Sequence, residues 1–194
     1  PYGKLYQWGR KYGQGYKESY KESYDESVPE LVEGPVMPSV AQSEENSNKF
    51  YYNAESPGDW CKVQNDDLWN SGTESTPVKT EYDPCPEGWR VPTYAELVRL
   101  SNGRSSSMTV GDQKGLYFCG DYTYLDNAPQ VFFPAAGRRN DYDGHATTRG
   151  IYGHYWSLST YGGDGAYYLE FHSSNVFMLN DNRARGYSVR CVQE

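Results

Sequence analysis

The sequence predicts an α+β domain of short antiparallel strands and long loops, with one clear helix near residues 93–101. Three observations carry that expectation. The 194 residues suit a single domain with room for an insertion. Leu, Ile, Val and Phe supply only 30 of them, a level that with a net charge of −8 usually signals disorder. Yet 20 Tyr, 6 Phe and 5 Trp provide large rings, each able to bury roughly 150 to 250 Å². Finally, one helix-capping signature stands among many short aromatic or β-branched runs separated by Gly, Asn and Asp.

Residues 2–10 read as an opening strand, with Tyr2, Leu5, Tyr6 and Trp8 as β-formers. From Lys11 to about Asn48 the composition turns polar. A four-residue repeat (Lys17-Glu18-Ser19-Tyr20, then Lys21-Glu22-Ser23-Tyr24) leads into a Pro-rich stretch and Ser43-Glu44-Glu45-Asn46. This segment, 11–48, is expected to be a polar, flexible insertion without a core role, a Tyr-rich binding loop being the alternative. Residues 50–53 form a strand candidate. Pro84, Pro86 and Gly88 mark a turn into Trp89-Arg90-Val91-Pro92. Thr93 then caps the helix, Glu96 completes a capping box, Leu97, Val98 and Leu100 form the apolar stripe, and Asn102-Gly103 end it. Everything after Ser105 reads as strands and turns, at 115–119, 131–133, 155–157, 166–171, 176–179 and 187–192.

Charge narrows the function classes. Eighteen Lys and Arg scattered among 26 acids give no clustered basic surface for nucleic acid or an anionic membrane. No apolar run approaches the roughly 18 residues of a membrane-spanning helix. Opening at Pro1 suggests a processed or trimmed product. Cys61, Cys85, Cys119 and Cys191 fit no zinc-ligand spacing, and their even, wide distribution favours disulfides and an oxidising compartment, with three connectivities open.

Several separated motifs share an order. Cys85-Pro86-Glu87-Gly88-Trp89-Arg90-Val91-Pro92-Thr93, Tyr155-Trp156-Ser157, Ala166-Tyr167-Tyr168-Leu169-Glu170-Phe171, Arg183 and Gly186-Tyr187-Ser188-Val189-Arg190-Cys191-Val192 resemble the bacterial surface-domain family named for the major paralogous domain of Fibrobacter succinogenes. Tyr2-Gly3-Lys4-Leu5-Tyr6-Gln7-Trp8 resembles its opening strand, so the resemblance covers most of the chain outside the insertion. It implies a single C-type-lectin-like domain over 1–194, with paired terminal strands and a loop-rich, ligand-binding second half at about 138–187. It also implies a Cys85 to Cys191 bridge, with Cys61 and Cys119 as the remaining pair. An enzyme relative on the same scaffold, the formylglycine-generating oxidases, also resembles Gly88-Trp89-Arg90-Val91-Pro92-Thr93. Those enzymes need a reactive cysteine pair near the C-terminal part, where this chain has only Cys191, so no enzyme activity is expected.

His145, His154 and His172 form no metal or triad spacing and read as surface residues. Asp141-Tyr142-Asp143-Gly144 and Asn180-Asp181-Asn182 are oxygen-rich, but such clusters are ordinary turn formers, so no cofactor is expected and calcium is the one ion they would suit. Residues 138–185 mix Tyr, Asn, Asp, His and Ser as antibody loops do. C-type-lectin-like domains are the usual targets of diversity-generating retroelements, which randomise adenines in Asn-type codons. Tyr142, His145, Tyr152, His154, Tyr161, Asp164, His172, Asn175, Phe177, Asn180, Asp181 and Tyr187 are eligible products and form the candidate ligand-binding set; Met178 and Glu170 are not. Trp89, Trp156, Phe171, Val189 and the terminal bridge would hold this surface rigid.

The expected function is therefore a non-catalytic, adhesin-like or pilus-tip domain, extracellular or on a bacterial cell surface. Its partner would be a protein or glycan on another cell or phage, or other pilus subunits, with no nucleic acid and no membrane insertion. A structural pilus or surface-assembly module is the alternative. Exposure of Tyr142, His154, Tyr161 and Phe177 would favour binding, and their burial would favour assembly.

Overall fold

The computed structural model describes residues 2–15, 29–119, 130–173 and 175–194. The four-residue repeat lies outside the described residues. The chain runs through β1 (Tyr6–Gln7), β2 (Glu30–Glu33), a single helical turn α1 (Pro38–Ala41), β3 (Lys49–Tyr52), β4 (Trp89–Arg90) and helix α2 (Tyr94–Ser101). Then follow β5 (Arg104–Val110), β6 (Gln113–Cys119), β7 (Gln130–Pro134), β8 (Arg138–Arg139), β9 (Ala146–Thr147) and β10 (Tyr152–Tyr161). The last elements are β11 (Gly165–His172), β12 (Asn175–Asn182), β13 (Gly186–Tyr187) and β14 (Val192–Gln193).

Strand and bridge take 43% of these residues and helix 9%, which corrects the α+β class expected from the sequence. The fold is mostly β, built from several small sheets. One eight-residue helix is too little to form a layer of its own, and the seven-residue strand β5, paired with β6, stands where the serine run of 105–107 gave no strand signal. Helix α2 itself starts as its sequence requires. The Thr93 hydroxyl accepts from the Glu96 N–H (3.2 Å), the Glu96 carboxylate accepts from the Thr93 N–H (2.8 Å), and Arg90 grips the same carboxylate with both guanidinium nitrogens.

The β10–β11–β12 sheet lies between two cores. Tyr155, Leu169 and Phe171 point to one side and meet Leu97 of α2, Leu116, Phe118 and Phe133. Trp156, Ala166 and Tyr168 point to the other and meet Trp8, Tyr51, Trp60, Trp69 and Tyr187. Rings replace aliphatics in much of this second core, and its indole N–H groups are all used. The indole N–H groups of Trp8, Trp60, Trp69 and Trp156 donate to the backbone carbonyls of Ser157, Trp8, Arg10 and Tyr6. Each of these tryptophans thereby ties two distant segments together as well as filling volume.

Residues 29–48 do not stand apart from this core, contrary to the expected polar excursion. β2 pairs in parallel with β3, Ala41 is fully buried, and the Arg10 guanidinium donates to the carbonyls of Ala41, Asn46 and Lys49. The Cys85 to Cys191 disulfide is present and braces the β4–β14 ribbon. Cys61 and Cys119 are free and buried, which corrects their expected pairing. Cys61 belongs to the tryptophan-rich core and its thiol donates to the Val63 carbonyl, while Cys119 ends β6 between Arg104 and Gln130 of the neighbouring strands. Burial pushes the Cys61 thiol up to about 11, with the Asp59 charge adding to the shift, and a thiol of that kind is inert.

Asp59 is itself a stressed group. One carboxylate oxygen accepts from the Cys61 N–H, whereas the other is buried without a protein hydrogen-bond partner, and burial raises its pKa to about 6. A carboxyl raised in the fold favours its protonated form there. The contribution of this group to stability is therefore most favourable below the unfolded pKa of about 4 and falls as pH rises from about 4 to 6. Asp59→Asn keeps the acceptor for Cys61 and is expected to stabilise the protein by about 2 kcal/mol at neutral pH, with no gain at about pH 4. Urea denaturation at the two pH values checks this; an equal gain at both would reject it.

Candidate ligand-binding face

Strand pairing on β10–β11–β12 sets out three rows of side chains on one face. Tyr152, His172 and Asn175 form the first, His154, Glu170 and Phe177 the second, and Trp156, Tyr168 and Leu179 the third. The rows differ in cover from one end to the other. Along β10 the Tyr187 ring of β13 lies over His154, Trp156 and Tyr168 at centroid distances of 4.8, 4.4 and 4.6 Å. Along β12 the face is more open: Phe177 is 44% exposed, Leu179 39%, and Asn175 is exposed as well. His172 and Tyr152 bridge the two zones, with His172 stacked on Phe177 at 5.9 Å and tilted against Tyr152 at 4.9 Å.

A charged network continues the face at the C-terminal end of β12. The Tyr187 hydroxyl donates to Asp181 (2.6 Å), and the Arg185 guanidinium lies 2.9 Å from Asp181 and 3.4 Å from Asp141. The Asn182 amide donates to the second oxygen of Asp141 (2.7 Å). Tyr142, 55% exposed, stands beside it and its hydroxyl accepts from the Asn140 amide. Burial and the Asp181 charge push the Tyr187 phenol well up, so it stays a neutral donor.

His154 sits deepest in the face. Its Nε2 donates to Glu170 (3.2 Å), and burial, outweighing that bond, moves the imidazole pKa down. The same bond holds the Glu170 carboxyl below its usual range. Glu170 is thus an ionised group with one oxygen held by the buried His154 imidazole and, at 3.5 Å, by the Tyr168 hydroxyl, while the other ring nitrogen of His154 lies 3.3 Å from the Gly137 carbonyl; the second Glu170 oxygen has no protein partner among the described residues.

Of the twelve candidate residues, this face gathers Tyr152, His154, His172, Asn175, Phe177, Asp181 and Tyr187, with Tyr142 at its margin. Two of them are corrected as contact residues. His154 is 1% exposed and Tyr187 fully buried, because the ring stack between β10 and β13 closes over both. They support the face from beneath. The others lie apart. Asn180 opposes Tyr167 on the reverse side, where Tyr161, 47% exposed, contacts the same ring at 5.2 Å. Asp164 is exposed in the β10–β11 turn, and His145 pairs with Asp143 between β8 and β9.

Sequence reasoning missed Glu170, Leu179, Asp141 and Arg185. The available signal was the period of two along β11, which puts Tyr168, Glu170 and His172 on one face. Asp141 and Asp181, expected as turn residues, are instead held by Arg185; among the described residues no group of three or more His, Cys, Asp or Glu is placed to hold a metal ion. No helix of the described residues is long and apolar enough to cross a membrane.

A family model described as a domain of unknown function (DUF8237) matches residues 122–192, a stretch that contains every strand of the face and of the Tyr187 cover. No curated protein and no solved structure matches the chain.

Proposed function

We propose that the protein is a non-catalytic ligand-binding domain, adhesin-like or at a pilus tip, that recognises its ligand through the β12 side of this face. The observation that carries the reading is the exposure of Phe177, Leu179, Asn175 and Tyr142 above a locked layer of rings. Rigid aromatic anchors flanked by adaptable polar groups give contact area at low entropic cost. Both free cysteines are buried, which argues against a thiol oxidase. An extracellular or surface location accords with the disulfide, and with the resemblance to the Fibrobacter succinogenes family.

Retroelement diversification belongs to the same proposal. It would act on Tyr142, Tyr152, His172, Asn175 and Phe177, whose side chains reach solvent, and not on His154 or Tyr187, which the ring stack constrains. An imperfect repeat of the coding region with adenines at those codons is the expected genomic companion, and its absence from the locus would remove this part.

The binding reading is tested on glycan and protein-ligand arrays, with and without EDTA, against a Tyr142→Ala, His172→Ala, Phe177→Ala variant. Losing anchors of this kind is expected to weaken binding by more than about tenfold. Undiminished binding by a folded variant would exclude this surface and favour the assembly role.

A further inference from the structure

The face pairs aromatic rings with a carboxylate that is fixed in place. Glu170 and Phe177 are direct cross-strand neighbours, His172 stacks on Phe177, and Tyr152 stands on the far side of His172. One Glu170 oxygen is anchored by the buried His154, and the other has no protein partner among the described residues on a side chain that is 16% exposed. We propose that this corner receives a cationic side chain, arginine or lysine, from a protein partner, the charge lying against the Phe177 ring and pairing with the open oxygen of Glu170. The inference rests on the binding reading above and adds the chemistry of the partner.

Three features support it. A cation over a ring gains from the ring's negative face, and the gain grows when a carboxylate beside it is already desolvated on one side. The His154 bond keeps Glu170 ionised at neutral pH without consuming its second oxygen. The third feature is charge. Of the neighbouring cations, Arg185 is already engaged by Asp181 and Asp141, which leaves Arg138 as the arginine acting on Glu170. The chain's net charge of −8 adds long-range attraction for a basic partner. A glycan, which carries no such cation, would draw on the rings but leave the fixed charge without a counterpart.

The test is an NMR titration of the isotopically labelled protein with three probes: N-acetyl-arginine amide, N-acetyl-lysine amide and the neutral isostere N-acetyl-citrulline amide. Saturable shifts at Phe177, His172 and Glu170 are expected with the two cations at millimolar levels, about tenfold weaker with citrulline, and weaker at high salt. Glu170→Gln, which preserves an acceptor for His154, is expected to abolish the preference for arginine over citrulline. Phe177→Leu keeps apolar area and removes the ring, and is expected to weaken arginine binding about threefold. Equal binding of arginine and citrulline, an unchanged preference in Glu170→Gln, or no shifts at tens of millimolar would each overturn the proposal. The two readings fail separately. Array ligands lost in the triple variant but indifferent to Glu170→Gln leave a binding face without a cation pocket, whereas array ligands indifferent to both variants remove the face altogether.

Discussion

Replacing Cys85 and Cys191 together by serine is expected to lower the folding free energy by about 4 to 5 kcal/mol, the entropy that a cross-link over roughly 100 residues removes from the unfolded chain. The two cysteines are 106 residues apart in sequence, so the bond restrains more than half of the molecule. It also braces a short ribbon, beside which Lys79 donates to the carbonyls of Cys85, Pro86 and Trp89. The β4–β14 ribbon it braces has two residue pairs, Arg90 with Val192 and Trp89 with Gln193. Asp83 accepts from the Cys85 and Val91 N–H groups, and the Glu194 N–H donates to the Gly88 carbonyl. Against a usual total of about 5 to 15 kcal/mol, the loss is a large share. Guanidinium denaturation of the variant and of the reduced wild type measures it, and both are expected to give the same reduced stability. Thiol alkylation provides a control: the folded, oxidised protein is expected to resist, and the unfolded, oxidised protein to react at Cys61 and Cys119 alone. A stability loss below about 1 kcal/mol would show that the ribbon and its neighbours hold the termini without the bond. In a reducing compartment the protein would have to do without this contribution, which is why the bond bears on location.

What the sequence made legible follows from the range over which each signal acts. The α2 cap was legible because Thr93, Glu96 and the apolar stripe lie within about two turns of one another, and the structure forms every bond of that box. The strands of 152–182 were legible in place though not in length, since β-branched and aromatic residues mark the middle of a strand and polar ones such as Asn175 and Asn182 extend it. β5 was hidden because Ser105, Ser106 and Ser107 take strand geometry only through pairing with Phe118, Tyr117 and Leu116. The face was half legible. Its exposed members, Phe177 and Asn175, belong to the candidate set because exposed ring and amide chemistry is visible residue by residue. That His154 and Tyr187 are buried depends on β13 returning across β10, a contact between residues more than thirty positions apart. Glu170 was passed over for a similar reason: its role comes from His154 beneath it and Phe177 beside it, neither adjacent in the chain.

The polar stretch after β1 was the reading most changed by packing, and Arg10 explains how. This fully buried guanidinium has no carboxylate partner among the described residues; it donates to the Gln7 side chain and to the carbonyls of Ala41, Asn46 and Lys49, and lies 5.0 Å from the centre of the Tyr51 ring. Burial lowers its pKa to about 10, so it remains charged at neutral pH and the three carbonyls serve in place of a counter-ion. Arg10→Met fills most of the volume but strips those carbonyls of their donor. At roughly 1 to 3 kcal/mol for each buried group left unpaired, reduced by local relaxation, the expected cost is about 4 kcal/mol. Arg10→Lys is expected to recover less than half, since one ammonium cannot span acceptors that a forked guanidinium reaches together. The location of the damage is the sharper prediction. Amide exchange is expected to accelerate first over residues 38–49, while β10, β11 and β12, whose ladder does not involve Arg10, keep their protection. Loss of protection spread evenly over both regions, or a cost below about 1 kcal/mol, would mean that β2 and β3 hold this segment by themselves. A segmental loss would show that a polar sequence with few apolar residues is ordered here by one arginine of the first strand's exit, reaching across to carbonyls that the local sequence has no means to satisfy.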